Sequence, residues 1–176
     1  MRDAVRKSVN IVVALAFSAG FALAAAPTGA AHSPVGTCYG GDFRWTATEG
    51  GITMAPQLLT FTSVGRLWGC EGMADISGGT FTGEHVAWSD CMHPADGPLT
   101  VEIAWSNGEL SKLWGPWPVG MMQPTVGDLT VVKGYGLGSR VQVNAWYEMM
   151  TPDQINGCVG PGIGTGVGRM NATIVA

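Results

Sequence analysis

The chain has 176 residues, of which 46% are hydrophobic and only 12% are charged, and its formal net charge is −4. An acidic chain is repelled by the phosphate backbone of nucleic acids and by anionic lipid surfaces, so we expect neither as a partner. The four cysteines contain no C-x-x-C spacing. An even number of cysteines without that spacing indicates two disulfides of an exported protein rather than a zinc site.

The first 31 residues have the three parts of a secretory signal peptide. Basic residues come first, an uncharged apolar run covers 11–26, and small residues follow up to Ala31. The run is shorter than the roughly 20 apolar residues that span a bilayer. We therefore predict that residues 1–31 are removed and that 32–176 form a single β domain. That domain is expected to be secreted or extracellular, free or associated with the cell envelope, with no stable membrane insertion after removal of the signal.

Period-two alternation of apolar and polar residues, which is typical of β-strands, recurs along the mature chain. Segments of this kind, in chain order, cover 42–48, 58–64, 80–88, 99–105, 129–135, 140–147 and 170–175. Only 151–155 is predicted to form a helical turn. About eight short strands with short links predict an all-β fold, an antiparallel meander that closes into a barrel, with a β-sandwich as the alternative.

One hairpin in this meander predicts a candidate ligand pocket. Asn107-Gly108 between alternating segments favours a two-residue type I′ loop. In that register Lys112 opposes Ile103 on the apolar face of the hairpin. Lys112 is then either a lysine that reaches water at a rim, or a polar group in a pocket formed by Trp105, Lys112 and Trp114.

The meander also predicts how the cysteines pair. Strand ends alternate between two rims, so Cys38 at the start of the first strand lies beside Cys70 at the end of the second. Cys91 at the end of the third strand and Cys158 before the last strand share the opposite rim. Because disulfides need Cα atoms about 4.4–6.8 Å apart, we predict Cys38–Cys70 and Cys91–Cys158.

The glycine-rich stretch GCVGPGIGTGVG, residues 157–168, does not fit a phosphate-binding loop. Such a loop leads into a helix, whereas the sequence from Arg169 onward predicts a strand. Glycine at every second position from 160 to 168 predicts an extended segment with one bare face. Aromatic rings from a neighbouring strand can lie over such a face.

No motif points to catalysis or to a bound metal. The chain has no G-x-S-x-G element, and the spacing of His85, Asp90, His93 and Asp96 matches no standard metal site. We therefore expect no catalytic residue, no metal site and no cofactor. The prolines of GPWP predict an exposed Trp117.

Several of these features resemble a group of small secreted β-rich proteins of actinobacteria whose function is generally unassigned. They are Cys38 soon after the signal, GRLWGC ending at Cys70, GGTFTG before Cys91, the hairpin IAWSNGELSKL, and GCVGPGIGTGVG. The resemblance covers most of the mature chain, and its motifs are those of fold and disulfides. It transfers no catalytic residues.

Three functions follow as expectations. The first is a secreted non-catalytic β-barrel that binds a small apolar ligand or a partner protein. The second is an extracellular hydrolase with an unrecognised site, and the third is a barrel associated with the cell envelope. Low charge and the lack of a nucleophile motif favour the first.

Overall fold

A computed structural model describes residues 34–176, and the predicted signal peptide lies outside these described residues. The described chain forms eight strands and one short helix. Their bounds are β1 Pro34–Ala47, β2 Gln57–Glu71, β3 Gly78–Ser89, β4 Ala95–Trp105, β5 Leu110–Val119, β6 Thr125–Gly134, β7 Arg140–Tyr147, α1 Pro152–Cys158 and β8 Thr165–Val175. The helix begins with a capping box, in which the Thr151 side chain accepts a hydrogen bond from Gln154 N–H and the Gln154 side chain accepts one from Thr151 N–H.

Each strand pairs antiparallel with the next, and β8 pairs with β1. The predicted all-β meander of eight strands that closes into a barrel is therefore confirmed, and the sandwich alternative is wrong. Closure removes the free strand edges that an open sheet of this size would expose.

Both predicted disulfides are confirmed, and the strand register explains them. Cys38 of β1 lies directly opposite Cys70 of β2. This pair is at the lower rim, which we define as the end that carries segments 72–77, 106–109 and 135–139. Cys91 and Cys158 are joined at the upper rim, which carries segments 48–56, 90–94, 120–124 and 148–164.

The register of the eight strand pairs sets the width of the barrel. A path that starts at Thr46 of β1 and passes from each residue to its partner on the next strand returns to β1 at Pro34. The two ends of the path are 12 residues apart (46 − 34), and this displacement is the stagger of the barrel. The residues along the path are Thr62, Glu84, Thr100, Trp114, Thr130, Arg140 and Val175. Eight-stranded barrels with a solid side-chain core have a stagger of about 8. A larger stagger tilts the strands more and widens the barrel, so this interior has room beyond its own side chains.

The interior alternates large rings with glycine. A side chain at Gly166 would place its Cβ 2.6 Å from the indole nitrogen of Trp45, and one at Gly168 would place it 2.3 Å from the Phe43 ring. These glycines are therefore needed because rings of β1 lie on the bare backbone of β8. The prediction for this part of the glycine-rich stretch is confirmed.

The first half of the same stretch is not a strand, so its prediction as an extended segment is wrong. Gly160, Gly162 and Gly164 lie between α1 and β8, and Gly162 has a φ of +100°. Glycine serves there because the chain turns from the helix into β8 through a left-handed backbone conformation.

Gly168→Ala is expected to lower the free energy of unfolding by about 1–3 kcal/mol, the usual cost of overpacking a core. The new Cβ would meet the Phe43 ring at 2.3 Å and the carbonyl oxygen of Trp146 at 2.7 Å, and the second contact is to backbone, which has no side-chain rotation to relieve it. Gly164→Ala is the control, because the nearest atom there is 3.8 Å away. Urea unfolding compares the two variants, and equal losses would contradict the ring-on-glycine packing.

The predicted register of the β4–β5 hairpin is wrong by one residue. The loop has three residues, since Trp105 N–H donates to the carbonyl of Glu109 at 2.9 Å and Gly108 adopts a φ of +89°. Ala104 therefore opposes Leu110, and Glu102 opposes Lys112. Because side chains alternate along a strand, a slip of one residue moves every side chain of β5 to the other face.

Candidate functional site

A cavity of about 120 Å³ runs through the barrel interior. All eight strands contribute to its lining, and the lining residues within 34–176 include no aspartate, glutamate, lysine or arginine. Eight lining residues of the described chain are partly exposed, and four of these lie within strands rather than at a strand end or in a rim segment and mark where the interior is open: Trp45, Ser63, Val101 and Met170. The cavity is thus an apolar, uncharged space rather than a water-filled channel lined by ions.

Aromatic side chains form much of the upper half of this lining. The rings of Trp45 and Phe61 meet edge to face with centroids 5.7 Å apart, and Phe61 lies 6.1 Å from the His85 ring. On the other side Phe43 meets Tyr147 edge to face at 5.1 Å. Edge-to-face contact is a favoured arrangement of aromatic rings, so these side chains form a well-packed apolar part of the wall.

Trp117 and Tyr147 form a hydrogen bond with each other in the upper half of the cavity. The indole N–H of Trp117 donates to the Tyr147 hydroxyl at 2.9 Å. Burial raises the pKa of Tyr147 well above its ordinary value, so the phenol stays protonated. The expectation of an exposed Trp117 is wrong, because its side chain is only 5% exposed while Pro116 and Pro118 face outward.

A second hydrogen-bonded group lies in the lower half of the cavity. Trp105 Nε1 donates to Ser111 Oγ at 2.8 Å, and Ser111 Oγ donates to the carbonyl oxygen of Tyr135 at 2.8 Å. All the polar atoms in this group are paired, so it holds β4, β5 and the 135–139 turn together. It offers little free hydrogen-bonding capacity to a ligand.

His85 is the one ionisable imidazole in the lining. Burial lowers its pKa from the ordinary 6.5 to about 4, although a hydrogen bond to the Gly97 carbonyl and the charge of Asp96 act in the opposite direction. The ring is therefore neutral at pH 7. A carbonyl oxygen only accepts, so Nε2, which lies 3.2 Å from it, carries the hydrogen and Nδ1 is an acceptor.

Within the described chain, Trp45 Nε1 and Thr125 Oγ1 are the buried side-chain polar atoms without a hydrogen-bond partner. Most buried polar atoms in proteins are paired, so each unpaired one needs a reason. Trp45 lies in the open part of the cavity, whereas Thr125 begins β6 at the upper rim.

The structure separates the three residues of the predicted pocket. Trp105 lines the cavity. Trp114 is 53% exposed on the outer wall. Lys112 also lies outside, where Nζ contacts Glu102 Oε1 at 3.0 Å. The predicted placement of Lys112 and Trp114 is wrong because the three-residue loop turns Lys112 towards water and places Leu113 inside, which avoids burying a charge.

The four residues considered as metal ligands do not come together. The described chain contains no group of three or more His, Cys, Asp or Glu side chains placed to hold a metal ion. Asp90 instead accepts hydrogen bonds from Met92 N–H and His93 N–H at 2.7 and 2.8 Å. Burial acts to raise the Asp90 pKa, but these hydrogen bonds and the His93 ring hold it below its ordinary value. Asp90 therefore orders the rim loop beside Cys91.

Sequence reasoning missed Ser63, His85 and Trp45 as cavity residues. The alternation in β2 and β3 does carry a signal, because Ser63 and His85 occupy the same face as Phe61 and Phe81. A polar residue on an otherwise apolar strand face is the observation that could have identified them.

A scan against protein-family models finds no match, and no curated protein is significantly similar to the chain in sequence. Among the described residues, no helix has the length and apolar character needed to span a bilayer.

Proposed function

We propose that the protein is an exported, non-catalytic β-barrel that holds one small apolar ligand in its interior. The observation that carries this proposal is the continuous uncharged cavity inside a barrel whose stagger leaves it room. Eight-stranded barrels either fill with side chains or hold one small ligand.

The cavity volume sets the size of the ligand. Drug-sized ligands occupy pockets of about 300–1,000 Å³, whereas an apolar cavity of about 150 Å³ binds benzene. A volume of about 120 Å³ therefore suits a molecule of roughly one ring. The edge-to-face pair of Trp45 and Phe61 offers flat apolar contacts for such a ring.

Two disulfides support export, since such bonds persist in oxidising compartments. Ion pairs on the outer wall, such as Arg66–Asp42 and Lys112–Glu102 at 3.0 Å each, favour a wall that faces water over one that faces lipid. The lining within 34–176 also lacks the carboxylate pair of a glycosidase. These observations support the binding protein over the envelope barrel and the hydrolase.

Native mass spectrometry of the protein recovered from the culture medium is the direct test of a bound molecule. A mass increment that disappears on unfolding supports the proposal. The same spectrum reports whether the chain begins after residue 31, which tests the predicted signal peptide.

Val101→Phe is expected to weaken the binding of benzene, a ring-sized probe, by at least about tenfold while the barrel still folds. Val101 faces inward and keeps partial exposure, so a larger ring there fills the open space. Titration calorimetry with benzene, together with circular dichroism for the fold, measures both effects.

Two outer-wall variants control for this change. Ala104→Phe places the same ring on the exposed face of the same strand. Lys112→Met removes the charge of a residue that the sequence pattern placed in the pocket. The exposed ion pair of Lys112 with Glu102 is worth at most about 1 kcal/mol. Both should bind benzene as the wild type does. Wild-type protein that binds no benzene, or a Val101→Phe variant that binds it unchanged, would contradict the proposal.

A further inference from the structure

Ser63 and His85 offer polar atoms without a partner within the described residues on one wall of the cavity, beside the ring of Trp45. Trp45 of β1 is the register partner of Ser63 of β2, and Ser63 is in turn the partner of Gly83 of β3. His85 follows two residues after Gly83 on the same inner face. Directly opposed side chains have Cβ atoms about 4.5–5.5 Å apart, and diagonal neighbours are about 7–8 Å apart. Trp45, Ser63 and His85 therefore form one cluster, which we call the polar wall.

Ser63 has free hydrogen-bonding capacity on this wall. Its Oγ makes no hydrogen bond to any residue within 34–176, although its side chain faces the cavity. Gly83 leaves the hydroxyl its space, because a Cβ at that position would lie 2.4 Å from Ser63 Oγ. A serine hydroxyl can donate one hydrogen bond and accept others.

His85 supplies a hydrogen-bond acceptor beside the Ser63 hydroxyl. Its Nε2–H is held by the Gly97 carbonyl, which leaves Nδ1 as an acceptor without a partner in the described chain. The lining residues of the described chain carry no acidic or permanently basic side chain. A charged ligand would therefore lose its hydration without gaining a counter-charge, so the ligand is neutral.

A hydroxyl group is the smallest neutral oxygen group that both donates to an imidazole nitrogen and accepts from a serine hydroxyl. A carbonyl or ether oxygen can accept from Ser63 but cannot donate to His85 Nδ1. The space beside the polar wall is about the size of one ring, and the rings of Trp45 and Phe61 border it.

We propose that the ligand class is a small neutral phenol, whose hydroxyl donates to His85 Nδ1 and accepts from Ser63 Oγ while its ring packs against Trp45 and Phe61. This inference rests on the proposed function, since it names the ligand of the same cavity. It goes further by assigning a polarity and a hydrogen-bonding pattern to that ligand.

Binding of phenol, anisole and benzene to the mature, disulfide-bonded protein tests the inference by titration calorimetry. Anisole keeps the ring and the oxygen of phenol but has no hydrogen to donate. We expect phenol to bind about tenfold or more tightly than either of the others, which is the effect of one hydrogen bond to an otherwise unpaired group.

Two variants locate the hydroxyl. Ser63→Ala removes the donor, and His85→Gln keeps an N–H for the Gly97 carbonyl while removing the Nδ1 acceptor. His85→Gln should reduce the preference for phenol over anisole to about twofold or less. Ser63→Ala should instead lower the preference for phenol over benzene by about threefold or more, because phenol and anisole both accept from Ser63 and benzene does not. Thr62→Ala, which changes the neighbouring outward residue of β2, is the control and should keep the full preference. Should His85→Gln fail to fold, Ser63→Ala alone still decides.

The outcomes separate the two proposals. Failure of all three compounds to bind the wild type would overturn the proposed function together with this inference. Equal affinities for phenol, anisole and benzene would leave the cavity as a binding site but overturn the phenol assignment. An undiminished preference for phenol over benzene in Ser63→Ala would overturn the assignment of the hydroxyl to the polar wall.

Discussion

Removal of the Cys91–Cys158 disulfide by Cys91→Ala with Cys158→Ala is expected to lower the free energy of unfolding by about 4 kcal/mol. The bond closes a loop of 67 residues, and the chain-entropy relation gives this magnitude for a loop of that length. The loss arises mainly because the unfolded chain gains freedom once the cross-link is gone. Urea unfolding under non-reducing conditions measures it.

Because this disulfide lies at the upper rim, its removal is expected to loosen that rim as well as to lower the stability of the whole barrel. Cys91 lies in a rim loop and Cys158 ends α1, so neither belongs to a strand ladder. Apart from the disulfide, the upper rim is held by contacts such as the Ile52–Ile163 bridge and the hydrogen bond of Cys91 N–H to the Thr53 carbonyl at 2.9 Å. We expect protease cleavage of the double variant to begin in 148–164.

The single variant Cys91→Ala is the control, because it already breaks the bond and should lose nearly the same free energy. A loss below about 1 kcal/mol in the double variant would contradict the loop-closure account. Cleavage that begins in the lower-rim turns would contradict the local part of the prediction.

Local patterns predicted the strands and the disulfides because they depend on near neighbours and on chain order. The alternation of Leu99, Val101, Ile103 and Trp105 predicts an inward face, and these residues line the cavity. The disulfide pairing needed only the rule that strands in a meander reverse direction. The exact strand ends were not required.

The hairpin register depends on contacts that local sequence does not contain. Asn107-Gly108 fits both a two-residue and a three-residue loop. The three-residue loop is stabilised by Ser106, whose N–H donates to the Gly78 carbonyl at 2.9 Å and whose Oγ accepts from Ser77 N–H at 2.9 Å. Those partners lie on another turn of the lower rim. The alternation of β5 was the available signal, because it places Lys112 opposite in phase to Leu113 and Val119.

The cavity is a property of the whole barrel, so no segment predicts it. Its width follows from the sum of eight registers, including shifts in β1 between Pro34 and Gly36 and between Cys38 and Asp42. Closure itself depends on pairing between β1 and β8 at opposite ends of the described chain. The choice between barrel and sandwich therefore could not be made from alternation alone.

Lowering the pH from 7 to 4 is expected to reduce the free energy of unfolding by up to about 3 kcal/mol through His85. Burial holds the folded-state pKa of His85 at about 4, against an ordinary value of 6.5. Between these two values the unfolded chain binds a proton that the folded protein does not, so stability decreases as the pH falls. Each unit of pKa difference corresponds to about 1.4 kcal/mol.

This pH window distinguishes His85 from the carboxylates. The pKa of Asp90 is held below its ordinary value of 3.8, so the contribution of Asp90 to the free energy of unfolding is lost only as the pH falls below 3.8. Well above pH 6.5 the His85 contribution is constant, since the imidazole is then neutral in both states. Urea unfolding at half-unit steps from pH 7.5 to 3.5 should therefore show a decline that begins near pH 6.5 and flattens near pH 4.

His85→Gln provides the matched comparison, because glutamine keeps an N–H for the Gly97 carbonyl but does not titrate. The wild type minus the variant should give the His85 contribution alone, a difference that changes by about 3 kcal/mol across this window. A difference that stays constant between pH 6.5 and 4 would mean that the imidazole takes up its proton in the folded barrel. In that case the interior around His85 would have to be open to water, contrary to its 6% exposure.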